Sequence, residues 1–325
     1  MFHIIAVVEE GGRDIPGLMF LKGWGANGID IFFILSGFIM VYIAEKRPRN
    51  PGEFLTNRIV RIVPIYWILT AVGCLAIFAA GDFRGEPISI DAMLSSFAFL
   101  TRWTTLDMPI LYVGWTLEWE MLFYLIFGVS LFLKSKTAQF ILPLMVLLGL
   151  VVFAGQDPII LEFGFGMILA KIYKIQAIKS KAAMFAALGT AGLLASIWIK
   201  PDLPQIILWG VPSVFLILGL VNLKQWNSKV GVHLGNASYS IYLIQVFTIP
   251  IFYKIANKVT PDLPPFLLAM GCLLATAIAG SLCHLIVEKP VHKFVTRKAE
   301  AAPMPSYDKA RLRAVVENKE TLSRS

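Results

Sequence analysis

Long apolar runs separated by short polar stretches fill most of this 325-residue chain. The run with the clearest borders covers residues 29–44, and only Asp30, Ser36 and Gly37 interrupt it. As a helix, a run of this length nearly crosses the hydrocarbon core of a bilayer, which is about 30 Å thick. Three glycines precede the run within residues 23–28, and basic residues follow it directly. We interpret it as a membrane span with a glycine-rich entrance and a basic inner end.

The same pattern predicts further membrane-spanning helices along the chain. We predict an all-α, polytopic membrane bundle with about nine complete spans and one incomplete first span. Residues 1–8 are apolar but too short to cross, and we expect them to be the outer end of that first span. Residues 93–100 are also too short and are predicted to lie at the membrane interface, whereas Pro64 is expected in the first turn of its helix. The complete spans are predicted near residues 24–44, 62–80, 112–133, 138–154, 158–175, 181–199, 204–222, 237–256 and 265–287.

The composition agrees with a membrane protein. Hydrophobic residues make up 57% of the chain, charged residues only 15%, and the mean hydropathy is +0.71. A soluble domain would carry about 25% charged residues. The net charge is +8, but the basic residues are scattered at the ends of apolar runs, so we expect no nucleic-acid partner. The spacing of Cys74, Cys272 and Cys283 fits no metal site and no disulfide framework, so we expect three small core residues and no bound metal.

The distribution of basic residues predicts the topology. If residues 45–61 are an inside loop, 22 of the 29 lysines and arginines fall on the inside and 7 on the outside. Such an asymmetry is the positive-inside pattern. We therefore expect a membrane domain over residues 1–293 and a polar cytoplasmic tail, without packed structure, over residues 294–325.

Ionisable residues within spans are the first candidates for function, because they are costly in lipid. His3 lies about 9 Å below the following polar loop at 1.5 Å per helical residue, and Asp30 lies near the outer end of its span. Glu118 and Glu120 are two residues apart, so they point to nearly opposite sides of one helix. At most one of them should face a shared cavity, while the other lies near the interface. A hydrogen-bonded structural role is favoured for Glu162 and His284.

Arg58 and Arg61 lie three residues apart at the inner border of a span and share one helix face. Two guanidinium groups on one face make a fork for phosphate groups. The alternative is an anchor that reaches the lipid headgroups. The spacing alone leaves both interpretations open.

Several motifs occur in an order that resembles the membrane-bound acyltransferase family 3. They are Gly25-Ala-Asn-Gly-Ile-Asp-Ile-Phe-Phe, Arg58-Ile-Val-Arg61, Trp115-Thr-Leu-Glu-Trp-Glu-Met, Glu162-Phe-Gly-Phe-Gly-Met, Ala237-Ser-Tyr-Ser-Ile-Tyr and Val287-Glu-Lys-Pro. The resemblance extends over most of the chain. It is strongest toward members that O-acetylate exopolysaccharides such as succinoglycan.

This resemblance implies a function and roles for the candidate residues. The family transfers an acetyl or other acyl group from coenzyme A to sugar hydroxyls, which implies acetyl-CoA, a polysaccharide or lipid-linked glycan and membrane lipids as partners in the bacterial inner membrane. His3 is then the expected general base, and Arg58 and Arg61 hold the donor from the cytoplasmic side. Asp30 and Glu120 orient the histidine or line the acceptor path. A covalent acyl-enzyme is a second possible route.

Two further expectations concern the limits of this interpretation. The family has a full first span with an arginine about eleven residues before the histidine, and Met1 stands two residues before His3. We therefore expect the first half of that span to be missing and the activity of the chain as written to be low. The alternative function is a non-enzymatic glycan transporter or flippase, because polytopic bundles with buried acids also suit transport.

The charge asymmetry predicts that the C-terminus is cytoplasmic and that residues 81–111 face the other side. Alkaline phosphatase fused after Ser325 should be inactive, because the enzyme matures only outside the cytoplasm, whereas a fusion within residues 81–111 should be active. Green fluorescent protein at the same two positions provides the reciprocal control. Strong phosphatase activity after Ser325 would reverse the topology.

Overall fold

The computed structural model describes most of the chain. The side chains of residues 16, 80 and 296–301 are not described. None of the described residues belongs to a strand. The described residues are 1–13, 16–46, 50–80, 89–104, 108–199, 203–224 and 228–301.

The described residues form thirteen α-helices. Two π-helical turns extend this set: Ile206–Gly210 leads into α10, and His284–Glu288 joins α12 to α13. In chain order the helices are α1 (Phe2–Glu10), α2 (Gly28–Lys46), α3 (Pro51–Ala80), α4 (Ile90–Ala98), α5 (Trp115–Ser130), α6 (Lys136–Ala154), α7 (Leu161–Ile172), α8 (Gln176–Lys179), α9 (Ala182–Ala195), α10 (Val211–Leu220), α11 (Lys229–Val259), α12 (Pro265–Cys283) and α13 (Lys289–Ala301).

The prediction of an all-α membrane bundle is confirmed, but the number of nine complete spans is not. By length and composition, five described stretches can cross a membrane. Other predicted spans coincide with shorter helices: α7 has 12 residues, about 18 Å of helix, which is less than the hydrocarbon core. The five stretches are Gly17–Lys46, Pro51–Ala79, Lys136–Ala154, Lys229–Val259 and Pro265–Val295.

The outer surface of the bundle is rich in large apolar side chains. Leu75 on α3 is 68% exposed, Phe153 at the end of α6 is 90% exposed, and Leu274 on α12 is 63% exposed. Apolar surface of this extent is unfavourable in water and marks a contact with lipid or protein. The protein is therefore a multi-pass membrane protein whose helices turn apolar faces outward.

Helix α3 begins earlier than the sequence analysis predicts. It starts at Pro51, so residues 51–61 are helical and Pro64 lies in the helix interior. A proline at the first helical position costs no hydrogen bond, and neighbouring helices in a bundle tolerate an internal one. The 30 residues of α3 are about 45 Å long, which exceeds the thickness of the hydrocarbon core. The predicted span was limited to that thickness and therefore left out the first part of the helix. Arg58 and Arg61 therefore lie on a rigid helix and not in a loop.

Helices α2 and α7 form a central pair that packs almost backbone to backbone. A Cβ added to Gly37 would overlap the carbonyl group of Phe163, and one added to Gly166 would overlap the carbonyl group of Ile34. Glycine is thus required here for close approach. The other close pairs are α9 with α10 and α11 with α12.

Helix α1 packs firmly against the bundle. Ile4, Ile5 and Val8 are at most 2% exposed and form an apolar cluster with Ile249 of α11 and Cys272 of α12. The expectation that the three cysteines are core residues is confirmed, because each is buried.

We predict that Gly166→Ala destabilises the protein by about 1–3 kcal/mol, because the added methyl group forces α2 and α7 apart. Thermal unfolding in detergent, followed by size-exclusion chromatography of the soluble fraction, measures the change. The control is Gly235→Ala on α11, where a Cβ has no atom within 4 Å; it should leave stability equal or slightly higher. Equal stability of the two variants would contradict the packing argument.

Candidate active site

His3 lies on α1 beside the start of α5. Its imidazole ring packs edge-on against Phe2 and at a tilt against Tyr112, with ring centroids 5.0 Å apart in both cases. A Cβ on Gly25 would come within 2.7 Å of the Phe2 amide nitrogen. The glycine loop before α2, the helix α1 and the start of α5 therefore meet around the imidazole.

Glu120 is buried inside the bundle. Its Oε1 accepts hydrogen bonds from the hydroxyl of Tyr124, one turn later on α5, at 2.5 Å and from the hydroxyl of Ser36 on α2 at 3.2 Å. Arg58 and Arg61 on α3 lie close enough to act on its charge. We call these five residues the arginine–glutamate cluster.

The guanidinium group of Arg58 keeps unused hydrogen-bond donors. It lies 5.9 Å from the ring of Phe54 and 5.8 Å from the ring of Tyr124, within the range of cation–π attraction. Its Nε is buried and has no partner among the described residues. Arg61, one turn further on the same helix face, is exposed. Arg58 thus packs against aromatic rings and Arg61 is exposed on the same helix face, and we call the two residues the arginine fork.

Glu118 points away from Glu120, as their spacing predicts. Its two carboxylate oxygens accept hydrogen bonds from the backbone amides of Thr101 and Arg102, at 3.0 and 3.1 Å. Those amides belong to the short 3₁₀ turn Thr101–Trp103, which lies outside the helices. Glu118 is therefore an anchor for a connecting loop.

Asp30 pairs with another buried acid instead of joining Glu120 or His3. Asp30 on α2 and Glu162 on α7 are both fully buried, and their carboxyl groups are within hydrogen-bond reach. Gln205 donates to Asp30 Oδ2 at 3.2 Å, whereas neither oxygen of Glu162 has a donor in the described part of the chain. Two carboxylates in contact away from water cannot both be ionised. We call Asp30 and Glu162 the carboxyl pair, and we expect one proton to be shared between them.

Three stacked phenyl rings separate the carboxyl pair from the arginine–glutamate cluster. The rings of Phe33 on α2 and Phe163 on α7 are 4.3 Å apart, and Phe123 on α5 lies 4.4 Å from Phe163. All three are fully buried. The stack therefore runs from the two helices that carry the carboxyl pair to α5, which carries Glu120.

His3 and the arginine fork lie near opposite ends of the bundle. Tyr239 of α11 donates its hydroxyl to the carbonyl of Ile62 at 2.8 Å, beside Arg61. Ile249 of the same helix packs against α1. The helix between Tyr239 and Ile249 is about 15 Å long at 1.5 Å per residue.

A second polar group lies at the arginine end. Glu288 Oε2 accepts a hydrogen bond from the Ser240 hydroxyl at 2.5 Å and lies 2.9 Å from His284 Nδ1. His284 and Glu288 belong to the π-helical turn after α12, and each side chain is 13% exposed. Such turns interrupt helices at functional sites more often than elsewhere. This group joins α11 to the turn after α12, whereas Tyr239 joins α11 to α3.

The structure thus brings together some of the predicted site residues and separates others. Arg58, Arg61 and Glu120 meet in one cluster. Asp30 lies beyond the phenyl stack, and His3 lies at the other end of the bundle. The sequence analysis missed that Asp30 has Glu162 as its partner. It also missed Tyr124 as a ligand of Glu120, although their spacing of four residues could have indicated the contact.

An all-helical bundle with an apolar surface and buried ionisable groups defines a multi-pass membrane protein with a polar interior. The sequence profile of acyltransferase family 3, described as an acyltransferase domain, matches residues 1–285. The chain therefore belongs to this family and is an acyltransferase that transfers groups other than amino-acyl groups. The prediction of an enzyme is confirmed.

Three characterised relatives agree with this assignment. The chain is 31% identical to the exopolysaccharide production protein ExoZ of Rhizobium meliloti, over 82% of this chain and 89% of that protein. It is 23% identical to the acyltransferase MdmB of Streptomyces mycarofaciens, over 90% and 88%. It is 24% identical to the peptidoglycan O-acetyltransferase OatA of Listeria monocytogenes, over 83% of this chain and 51% of that protein. No solved structure is significantly similar.

The stability of two Asp30 variants tests whether the carboxyl pair shares a proton. Asp30→Asn should keep the stability of the wild type, because the amide supplies Glu162 with the donor that the shared proton provides. Asp30→Ala should lose about 1–3 kcal/mol, because Glu162 and Gln205 are then left without partners. Thermal unfolding in detergent measures both variants. If Asp30→Asn is as unstable as Asp30→Ala, the two acids do not share a proton.

Proposed function

We propose that this enzyme transfers an acetyl group from acetyl-CoA to hydroxyl groups of an exported or cell-surface polysaccharide, or of its lipid-linked precursor. The similarity to ExoZ and to the peptidoglycan O-acetyltransferase OatA supports a glycan acceptor and an acetyl group. We further propose that the protein lies in the bacterial inner membrane with its C-terminus in the cytoplasm. The excess of basic residues in the predicted inside loops supports this orientation.

The observation that carries this proposal is the separation between the arginine fork and His3. The unpaired Nε of Arg58 and the exposed guanidinium group of Arg61 suit the phosphate groups of coenzyme A. The pantetheine arm of coenzyme A is an extended chain of a length comparable to the roughly 15 Å of α11 between the two ends. A donor held by its phosphates at the fork can therefore present its thioester near His3.

The proposed chemistry at His3 is general base catalysis. The acceptor hydroxyl oxygen attacks the thioester carbonyl carbon while the imidazole takes the hydroxyl proton. The carbon–sulfur bond then breaks, and the thiolate takes the proton back from the imidazole. The rings of Phe2 and Tyr112 hold the orientation of the imidazole. Glu120 fixes the fork through its charge and through the hydroxyl of Tyr124.

The proposed function is tested with radiolabelled acetyl-CoA and membranes that contain the protein. The acceptor is the polysaccharide of the producing cells after mild alkali has removed its ester groups. Wild-type membranes should transfer more label to the polysaccharide than membranes without the protein, and His3→Ala should reduce the transfer to that background. Label that stays on coenzyme A in wild-type membranes would contradict the proposal.

The arginine fork generates its own prediction. Arg58→Lys and Arg61→Lys keep the charge but lose the planar pair of donors, so kcat/KM for acetyl-CoA should fall by about 10- to 100-fold. The control is Lys134→Ala at another predicted inner border, which removes an exposed charge entirely and should retain transfer. Full activity of both arginine variants would favour the alternative of a lipid anchor.

A further inference from the structure

Arg102 lies against two tryptophan rings at the start of α5. Its guanidinium carbon is 5.2 Å from the ring of Trp115 and 4.8 Å from the ring of Trp119. The two tryptophans are one turn apart and share a helix face. Distances of this size correspond to cation–π contacts with both rings.

The backbone below this side chain is fixed. Glu118 accepts hydrogen bonds from the backbone amides of Thr101 and Arg102, so the turn Thr101–Trp103 is attached to α5. In the described part of the chain, the guanidinium group itself has no ion pair and no hydrogen bond. The guanidinium is thus held in place while its donors stay free for a ligand.

Trp103 adds an open aromatic face beside Arg102. Its ring stands at 75° to that of Trp119, with centroids 6.4 Å apart, and the residue is 51% exposed. Trp119 is buried, and its indole nitrogen has no partner among the described residues. An orphaned buried donor of this kind indicates a bound polar molecule or ordered water.

These residues lie at the His3 end of the bundle and away from the arginine fork. Tyr112, which contacts His3, begins the 3₁₀ turn Tyr112–Gly114, and Trp115 is the next residue and the first of α5. Asp157, in the connection before α7, is close enough to act on the charge of Arg102 and of the carboxyl pair. The base proposed for the reaction and the tryptophan residues therefore share one end of the protein.

The chemistry of this arrangement fits a sugar. The C–H face of a hexose ring stacks on an indole ring, and its hydroxyl oxygens accept hydrogen bonds from a planar guanidinium. A phosphate ligand fits less well, because the carboxylates of Glu118 and Asp157 lie close to Arg102 and partly offset its charge. An aromatic belt at a membrane interface needs tryptophan rings, but it needs no cation held between them.

We propose that Arg102, Trp103, Trp115 and Trp119 form the binding site for a neutral hexose unit of the acceptor glycan. The hexose ring stacks on the exposed face of Trp103, and its hydroxyls bind the guanidinium of Arg102. This inference rests on the proposed function, because it identifies which end of the enzyme receives the acceptor.

The test compares Trp103→Ala and Arg102→Gln with the wild type in the transfer assay with alkali-treated polysaccharide. In each variant the KM for the polysaccharide should rise about tenfold, which is the loss of one aromatic or charged contact. The kcat at saturating polysaccharide and the KM for acetyl-CoA should stay within about twofold. Trp103→Phe, which keeps an aromatic face, should restore most of the affinity.

The matched control is Trp198→Ala. Trp198 is 72% exposed and follows α9, so it tests the general effect of losing a surface tryptophan. It should leave the KM for the polysaccharide unchanged. An unchanged KM for the polysaccharide in both Trp103→Ala and Arg102→Gln would overturn the proposed site, and so would an equal rise in Trp198→Ala.

A binding measurement separates this proposal from the proposed function. Isothermal titration of the detergent-solubilised protein with the same alkali-treated polysaccharide requires no acetyl transfer. Weaker binding by Trp103→Ala and Arg102→Gln than by wild type would support the site even if wild-type membranes transferred no label. Equal binding by all variants would overturn the site even if wild-type membranes acetylated the polysaccharide.

Discussion

Every ionisable group inside this apolar bundle needs a partner within the bundle, and this constraint determines which helices lie side by side. Glu120 takes hydroxyl donors from α2 and α5 and lies beside the arginines of α3. Asp30 and Glu162 join α2 to α7, and Gln205 joins them to the turn before α10. A helix that moved out of place would leave a buried charge unpaired, which is far more costly than an apolar gap. The polar contacts therefore determine which helices are neighbours, whereas apolar surfaces alone would allow several arrangements.

Close packing makes these contacts possible. Gly37 and Gly166 allow α2 and α7 to approach so closely that a Cβ at either position would overlap the backbone of the other helix. At that separation Asp30 reaches Glu162, and Phe33 stacks directly on Phe163. The polar contact and the aromatic contact thus depend on the same two glycines. In a membrane, helix association relies on such close packing and on interhelical hydrogen bonds, because lipid provides little hydrophobic drive.

Local patterns in the sequence predict the helices, the opposite directions of Glu118 and Glu120 and the burial of the cysteines. These features depend on neighbours within a few residues, and helical periodicity describes such neighbours. The partner of Asp30 could not be predicted, because Glu162 lies on a helix far along the chain. The start of α3 at Pro51 could not be predicted either, because a helix can continue past the hydrocarbon core. The contact of Arg102 with two tryptophan rings could not be predicted either, because Trp115 and Trp119 lie more than ten residues further along the chain.

The separation of the polar groups has a consequence for proton balance under the proposed function. If the thioester reaches the His3 end, the acceptor hydroxyl loses its proton and the departing thiolate gains one at the same place. A single imidazole can then serve both transfers, and no net proton has to cross the membrane. Within this scheme Asp30 and Glu162 have a structural role as a contact between α2 and α7, and His3 alone transfers the proton in the reaction.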